Sequence, residues 1–253
     1  MIYPVNSTTI TSTTPTLNFT IPADADNDTL HFIVELYNNT GMTQLLYFGN
    51  SSASTTGFNP TPPVAQGSGN MSYTNGTQLA VDHAYWWRAR AVDTSGNYGD
   101  WSSTGNFTII SFVSCDFSKS SIDFTTIGSG VYDNNASGDY AGAGGATQYN
   151  VTSSGNVNTT VQSKGTNLSC ISGSCTGYII PAAYTSWNSS MVSNTSISLP
   201  GFNLTEAYDT SNLVATNLTA GSSVWLRYWI DIPDTGQPEG SYQGNYSIRC
   251  IAS

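Results

Sequence analysis

The sequence predicts an all-β chain of two tandem antiparallel β-sandwich domains, and three observations carry that expectation. Apolar and polar residues alternate over short stretches, clusters of Gly, Pro, Asn and Asp separate those stretches, and no apolar run is long enough for a membrane helix. A chain of 253 residues fits two modules of ordinary size, each able to bury its own core. The expected modules are residues 1–110 and 111–253.

In the first module Leu17, Phe19 and Ile21 alternate in TLNFTI, and Leu30, Phe32, Val34 and Leu36 in LHFIVELY. Tyr85, Trp87, Ala89 and Ala91 do the same in YWWRARAV. A period of two places each set on one face of a half-buried antiparallel sheet. Turn clusters over 22–28, 59–63 and 94–99 interrupt the strands. From Pro15 to Ile109, TPTLNFTIPADADNDTLHFIVELY, LAVDHAYWWRARAVDTSGNYGDWS and the closing NFTI resemble a fibronectin type III domain. The resemblance implies a tyrosine corner at Leu79 and Tyr85 and a core aromatic at Trp87. It leaves function open, because such modules serve adhesion, spacing and assembly alike.

In the second module SIDFTTI, TQYNVTSSGNVNTTVQSKG, NLVATNL, SVWLRYWIDI and GNYSIRCI alternate as strands, with SSGN a turn between two of them. YNVTSSGNVNTTVQSKGTNL, TNLTAGSSVWLRYWIDIP and GSYQGNYSI are similar to immunoglobulin-like modules of secreted archaeal and bacterial surface proteins. Residues 133–148 are Gly-rich but lack the GKS/T ending and following helix of a phosphate loop. They read as a flexible loop, or as a close backbone contact with a neighbouring subunit.

Only 9% of residues are charged, against roughly 25% in soluble proteins. Sixteen Asp and Glu outnumber six Lys and Arg, and Arg88, Arg90, Lys119, Lys164, Arg227 and Arg249 are scattered. That leaves no electrostatic footprint for nucleic acid, and an acidic chain is repelled by anionic lipid. The start MIYPVNSTT lacks the regions of a signal peptide, so the chain reads as mature or as excised from a longer precursor.

Seventeen of the 23 asparagines begin an Asn-X-Ser/Thr sequon with X not Pro: Asn6, Asn18, Asn27, Asn38, Asn50, Asn70, Asn75, Asn106, Asn135, Asn150, Asn158, Asn167, Asn188, Asn194, Asn203, Asn217 and Asn245. With 68 Ser and Thr in the chain, chance would supply about six. In TLNFTI, GNFTII, QYNVTS and GNYSIR the middle residue is apolar, so Phe19, Phe107, Val151 and Tyr246 are expected inside and their asparagines outside. N-glycans there supply the polar surface that charge does not. They imply secretion in a eukaryote, a virus or an archaeon, the last preferred, and an extracellular or cell-surface location.

All four cysteines lie in the second half, and an even count in an extracellular chain suggests two disulfides. Of three connectivities, the favoured one joins Cys170 to Cys175 across ISGS and Cys115 to Cys250, the first strand to the last. Zinc is the alternative, but the spacing is not CxxC and only two histidines are present.

Asp24, Asp26 and Asp28 alternate in one loop of the first module, and Asp93, Asn97 and Asp100 lie in another. The fibronectin resemblance brings these loops to one pole, where the five carboxylates could bind Ca²⁺, although Asp and Asn are also simple turn formers. No other cofactor is expected. His31 and His83 have no motif partner, and Glu35, Glu206 and Glu239 lack the paired spacing of glycosidase carboxylates, so no catalytic role is expected. Trp86, Trp101, Trp187, Trp225 and Trp229 could present aromatic faces to sugars, Trp86 above all, since it is out of phase with Tyr85 and Trp87, while most of the others read more simply as core, interface or interdomain packing residues. The sequence reads foremost as a self-associating subunit of a filament, pilus-like thread or surface layer, and alternatively as an adhesin or carbohydrate-binding protein. Residues 5–15 could pair with an open sheet edge of the next subunit, although in a fibronectin-like module the same segment is its own first strand.

Overall fold

The structure, a computed structural model, describes residues 2–25, 27–124, 126–136, 149–192, 197, 199–234 and 236–253. The chain divides into two compact units, Met1–Ser111 and Phe112–Ser253. Both are built from strands, and no described helix is long and apolar enough to cross a membrane.

The first unit contains β1 (Thr8–Ile10), β2 (Thr16–Thr20), β3 (Thr29–Tyr37), β4 (Leu45–Asn50), β5 (Phe58–Asn59), β6 (Val64–Ala65), β7 (Asn70–Thr74), β8 (His83–Asp93) and β9 (Gly105–Ile109). One sheet runs β1-β9-β8-β3-β4, with β6 on the start of β3, and the other runs β2-β7-β5. Alternation decides what they enclose. Leu30, Phe32, Val34 and Leu36 of β3 are buried in one layer with Tyr85, Trp87 and Ala89 of β8. Leu17, Phe19, Met71 and Tyr73 close over them from the second sheet, and the Phe19 ring meets Phe32 edge-on at 5.4 Å. Each such side chain contributes roughly 1.5–3 kcal/mol by leaving water. Within the chain, β1 pairs with β9 in parallel and Tyr3 bridges Asn18, so the segment considered for strand donation lies on its own unit.

The second unit contains β10 (Cys115–Phe117), β11 (Asn134–Asn135), β12 (Tyr149–Ser153), β13 (Thr159–Gly165), β14 (Leu168–Gly173), β15 (Ile179–Ile180), β16 (Thr185–Ser190), β17 (Phe202–Asn203), β18 (Leu213–Leu218), β19 (Ser223–Ile230), β20 (Gly240–Gln243) and β21 (Tyr246–Ala252). Its sheets run β10-β12-β19-β16-β17, with β11 on β19, then β18-β13-β21, and a small outlying β15-β14-β20. Val151, Leu226 and Tyr228 of the first share a core with Val161, Val214 and Leu218 of the second. The Cys115–Cys250 disulfide joins β10 of one sheet to β21 of the other, and Cys170–Cys175 closes a short loop beside β14.

Two elements differ from the sequence reading. SIDFTTI forms no strand among its described residues; Ile122 and Phe124 pack on the core from a loop. SSGN joins no hairpin. Ser153 pairs with Cys115, whereas Thr159 pairs with Leu218 and Ala252 in another sheet, so SSGN is a crossover. Of the Gly-rich segment, Asn134 and Asn135 pair with β19 and residues 137–148 lie outside the described residues.

Candidate functional site

Strand alternation sorts the sequons residue by residue. Of the sixteen sequon asparagines described, none is buried; Asn194 lies outside the described residues. Beside them the middle residues Phe19, Met71, Phe107, Val151, Leu204 and Leu218 are buried. Tyr246 is only partly buried as a residue, but its phenol lies against Tyr228 in the core, and burial raises its pKa. Hydrogen bonds orient several of the amides. The side-chain carbonyls of Asn6, Asn50, Asn75, Asn106 and Asn167 accept backbone N–H groups from Asn106, Ser52, Thr77, Ser7 and Ala182. Holding Oδ1 in this way turns the amide nitrogen, the atom that carries an N-glycan, to the other side. Asn38, Asn158 and Asn188 are contrary cases, since their Nδ2 groups donate to Gln44 Oε1 at 3.4 Å, Asn217 Oδ1 at 2.8 Å and the Leu199 carbonyl at 3.0 Å.

The outer face of the first unit's larger sheet carries a stacked ladder. The Trp101 ring lies 4.0 Å from the Arg88 guanidinium carbon and 4.4 Å from that of Arg90. Tyr98 covers Arg90 at 4.2 Å, and Arg88 pairs with Glu35 at 2.7 Å, the one ion pair among the described residues. Partly shielded from water, such contacts hold each guanidinium against a ring or a carboxylate. Glu35 and Trp101 are thereby engaged within the unit. His31 lies beside Ser51 Oγ at 3.3 Å, and His83 Nε2 is 3.2 Å from the Asn38 carbonyl.

The aspartates considered for calcium serve their own loops. Asp24 Oδ2 accepts the Asp28 N–H at 3.3 Å, and Ser95 Oγ donates to Asp28 Oδ2 at 3.4 Å, which brings the two loops together. Asp93 accepts the side-chain and backbone N–H of Asn97, both at 2.7 Å, and these bonds hold its carboxyl below the usual range. Asp100 is exposed, and Asp26 lies outside the described residues. Among the described residues no three His, Cys, Asp or Glu side chains gather as a metal site.

The second unit has an end without sequons. Its small sheet combines β14 and β15 with β20, drawn from the intervals 168–187 and 218–244, which hold no sequon asparagine and are bordered by Asn167 and Asn245. The loop through Val131 and Tyr132 joins it, because Val131 and Ile232 are hydrogen-bonded and Tyr132 Oη donates to Asp234 at 3.3 Å. Gln237 Nε2 donates to the Ile179 carbonyl and Asp231 N–H to the Tyr184 carbonyl. Ile171, Tyr178 and Ile179 stand 61%, 48% and 49% exposed, and Tyr132 and Tyr184 are exposed as well. Within 131–134, 168–187 and 231–244 the charges are Asp133, Asp231, Asp234 and Glu239, with no Lys or Arg. Glycine shapes the tip: a Cβ at Gly240 would strike Cys175 Sγ, and Gly173 holds φ +102° against it.

Of the five tryptophans considered for sugar binding, Trp187 and Trp229 are buried and present no face; their strands are covered on both sides, which alternation alone does not reveal. Trp86, Trp101 and Trp225 are half-exposed. The residues of the bare end escaped notice because nothing local marks them; the signal was the spacing between sequons.

No protein-family model matches the chain, and no curated protein does. Solved structures offer distant likenesses. An α-L-rhamnosidase from Dictyoglumus thermophilum matches at 10% identity and a TM-score of 0.30, over 98% of this chain and 28% of its own. The Streptomyces avermitilis α-L-rhamnosidase complexed with L-rhamnose matches at 10% and 0.30, over 99% and 24%. A chain of the chaperone–tip adhesin complex of CFA/I fimbriae biogenesis matches at 11% and 0.30, over 98% and 97%. The chain thus spans about a quarter of the length of the rhamnosidases. Likenesses at this TM-score carry no argument about this chain.

Proposed function

We propose that the chain is a structural subunit of an extracellular surface assembly, N-glycosylated over most of its surface and joined to further copies through the bare end of its second unit. The observation that carries this is the division of the surface. Sixteen described sequon asparagines all reach solvent, while an apolar, tyrosine-rich end is left without any. Exposed apolar patches on secreted chains mark contacts, and glycans would exclude contacts elsewhere. Four carboxylates at that end suit a cationic surface on a second copy. Such a head-to-tail contact does not close on itself and generates a thread or lattice.

A fibronectin type III identity for the first unit is part of this reading. It is supported by the Tyr85 hydroxyl, which donates to the Ala80 carbonyl at 3.0 Å as a tyrosine corner would, and by the strand order of its sheets. An immunoglobulin-like identity for the second unit is supported by its disulfide between sheets.

Negative-stain microscopy of native material, with glycopeptide mapping of the same sample, tests the proposal. Fibres or sheets of glycosylated chains are expected, and Tyr178→Asp with Ile171→Asp should disperse them into folded subunits. Isolated glycosylated particles would overturn assembly in favour of an adhesin, and bare sequons would overturn the reading of the surface.

A further inference from the structure

The six tryptophans divide by what covers them. Trp87 and Trp187 are fully buried, and Trp101 lies between two guanidiniums. The other three occupy outward positions of β8 and β19, and in every case the register sets a sequon asparagine directly opposite. Trp86 faces Asn106, Trp225 faces Asn150, and Trp229 faces Asn135. Trp229 is already covered, with 2% exposure and the Arg227 guanidinium carbon 5.2 Å from its ring. Trp86 and Trp225 remain half-exposed; on their other sides stand Tyr37 of β3 and Ser190 of β16, and no ring or cation stacks on either indole among the described residues.

The hydrogen bonds at Asn106 aim its amide. β9 lies between β1 and β8. Asn106 Oδ1 accepts the Ser7 N–H at 2.5 Å, from the segment leading into β1, and the Asn106 N–H donates to Asn6 Oδ1 at 3.0 Å. The two amide substituents diverge from one planar carbon, so with Oδ1 held by Ser7 the nitrogen points away from that bond. Directly opposed residues have Cβ atoms about 4.5–5.5 Å apart, which puts the indole within reach of the first sugar.

We propose that Trp86 and Trp225 are stacking platforms for the chain's own N-linked sugars, at Asn106 and Asn150 respectively. The proposal rests on the reading of the sequons as glycan-bearing. One face of a pyranose presents C–H groups with slight positive charge, the indole face is negative, and stacking withdraws both apolar faces from water. Each glycan then lies against its sheet and stiffens it, and Trp86 is occupied from within rather than open to foreign carbohydrate.

The test is a double-mutant cycle on the native, full-length glycoprotein. Thr108→Ala removes the sequon while leaving the Asn106 side chain in place, and it is combined with Trp86→Ala. With the glycan present, Trp86→Ala should lower the unfolding constant's protection about five-fold more than it does in the Thr108→Ala background. In the unsubstituted protein, protons of the first sugar on Asn106 should be displaced upfield by the indole ring current, a readout that stands even if Trp86→Ala does not fold. Occupied Asn106 with additive effects and unshifted sugar protons would overturn the proposal and leave glycosylation standing. Glycans at other sequons with Asn106 and Asn150 bare would do the same. A chain without glycans removes both readings together.

Discussion

The first unit buries seventeen apolar side chains in its core, and the larger second unit buries twelve among its described residues. The polar count runs the other way. Ser51 is the one buried polar residue described in the first unit, whereas Ser153, Thr159, Gln162, Ser163, Thr185, Ser186, Asn212 and Arg227 are buried in the second. Both disulfides belong to the second unit. The comparison teaches where covalent links are needed. Continuous alternation across long strands, as between β3 and β8, supplies enough apolar burial to hold two sheets together. Where strands are short and small polar residues enter the interior, a cross-link that restricts the unfolded chain takes over part of that task.

The largest expected effect tests that division directly. Replacing Cys115 and Cys250 by Ser opens a loop of 135 residues and should destabilise the second unit by about 5 kcal/mol. Denaturation followed through separate transitions for the two units should show only the second one moving. A second transition that stays in place would break the comparison.

Replacing Cys170 and Cys175 by Ala should cost about 2 kcal/mol, because the loop is short. The loss should be concentrated in β14, β15 and β20, read as faster amide exchange there, with little change at β13 or β19. A uniform loss across the unit would mean that the small sheet is integral to the core.

Smallest is the effect of Tyr85→Phe in the first unit. It removes the hydroxyl that donates to the Ala80 carbonyl and leaves the ring, so about 1 kcal/mol should be lost. A much larger loss would show that this unit, too, depends on one specific link rather than on distributed packing.

The same difference governs what could be read from the residues. In the first unit Leu17, Phe19, Leu30, Phe32, Val34, Leu36, Tyr85 and Trp87 are all buried, because strict alternation on a sheet with one wet face is a local signal. In the second unit Ile122 and Phe124 alternate as well, yet they pack from a loop, since nothing in a short apolar pattern specifies a partner strand. Trp187 and Trp229 are buried, as the packing reading of most tryptophans expects, but pairing of β14 with β20 links residues about seventy positions apart without any local mark. The outward phase of the sequons was legible for the reason that made the first core legible. The bare end was not, because it is assembled from three distant segments.

The cross-strand disulfide also has a mechanical consequence. Cys115 and Cys250 stand close to the two ends of the second unit, Phe112 and Ser253. Tension applied between those ends passes through one sulfur–sulfur bond, so the intervening chain cannot unravel. Without that bond it would lengthen by roughly 450 Å, at about 3.4 Å per extended residue. The first unit contains no cysteine, and its ends are restrained by packing and by the parallel β1–β9 pairing. Under load, the two units therefore behave as an extensible spring in series with a link of fixed length.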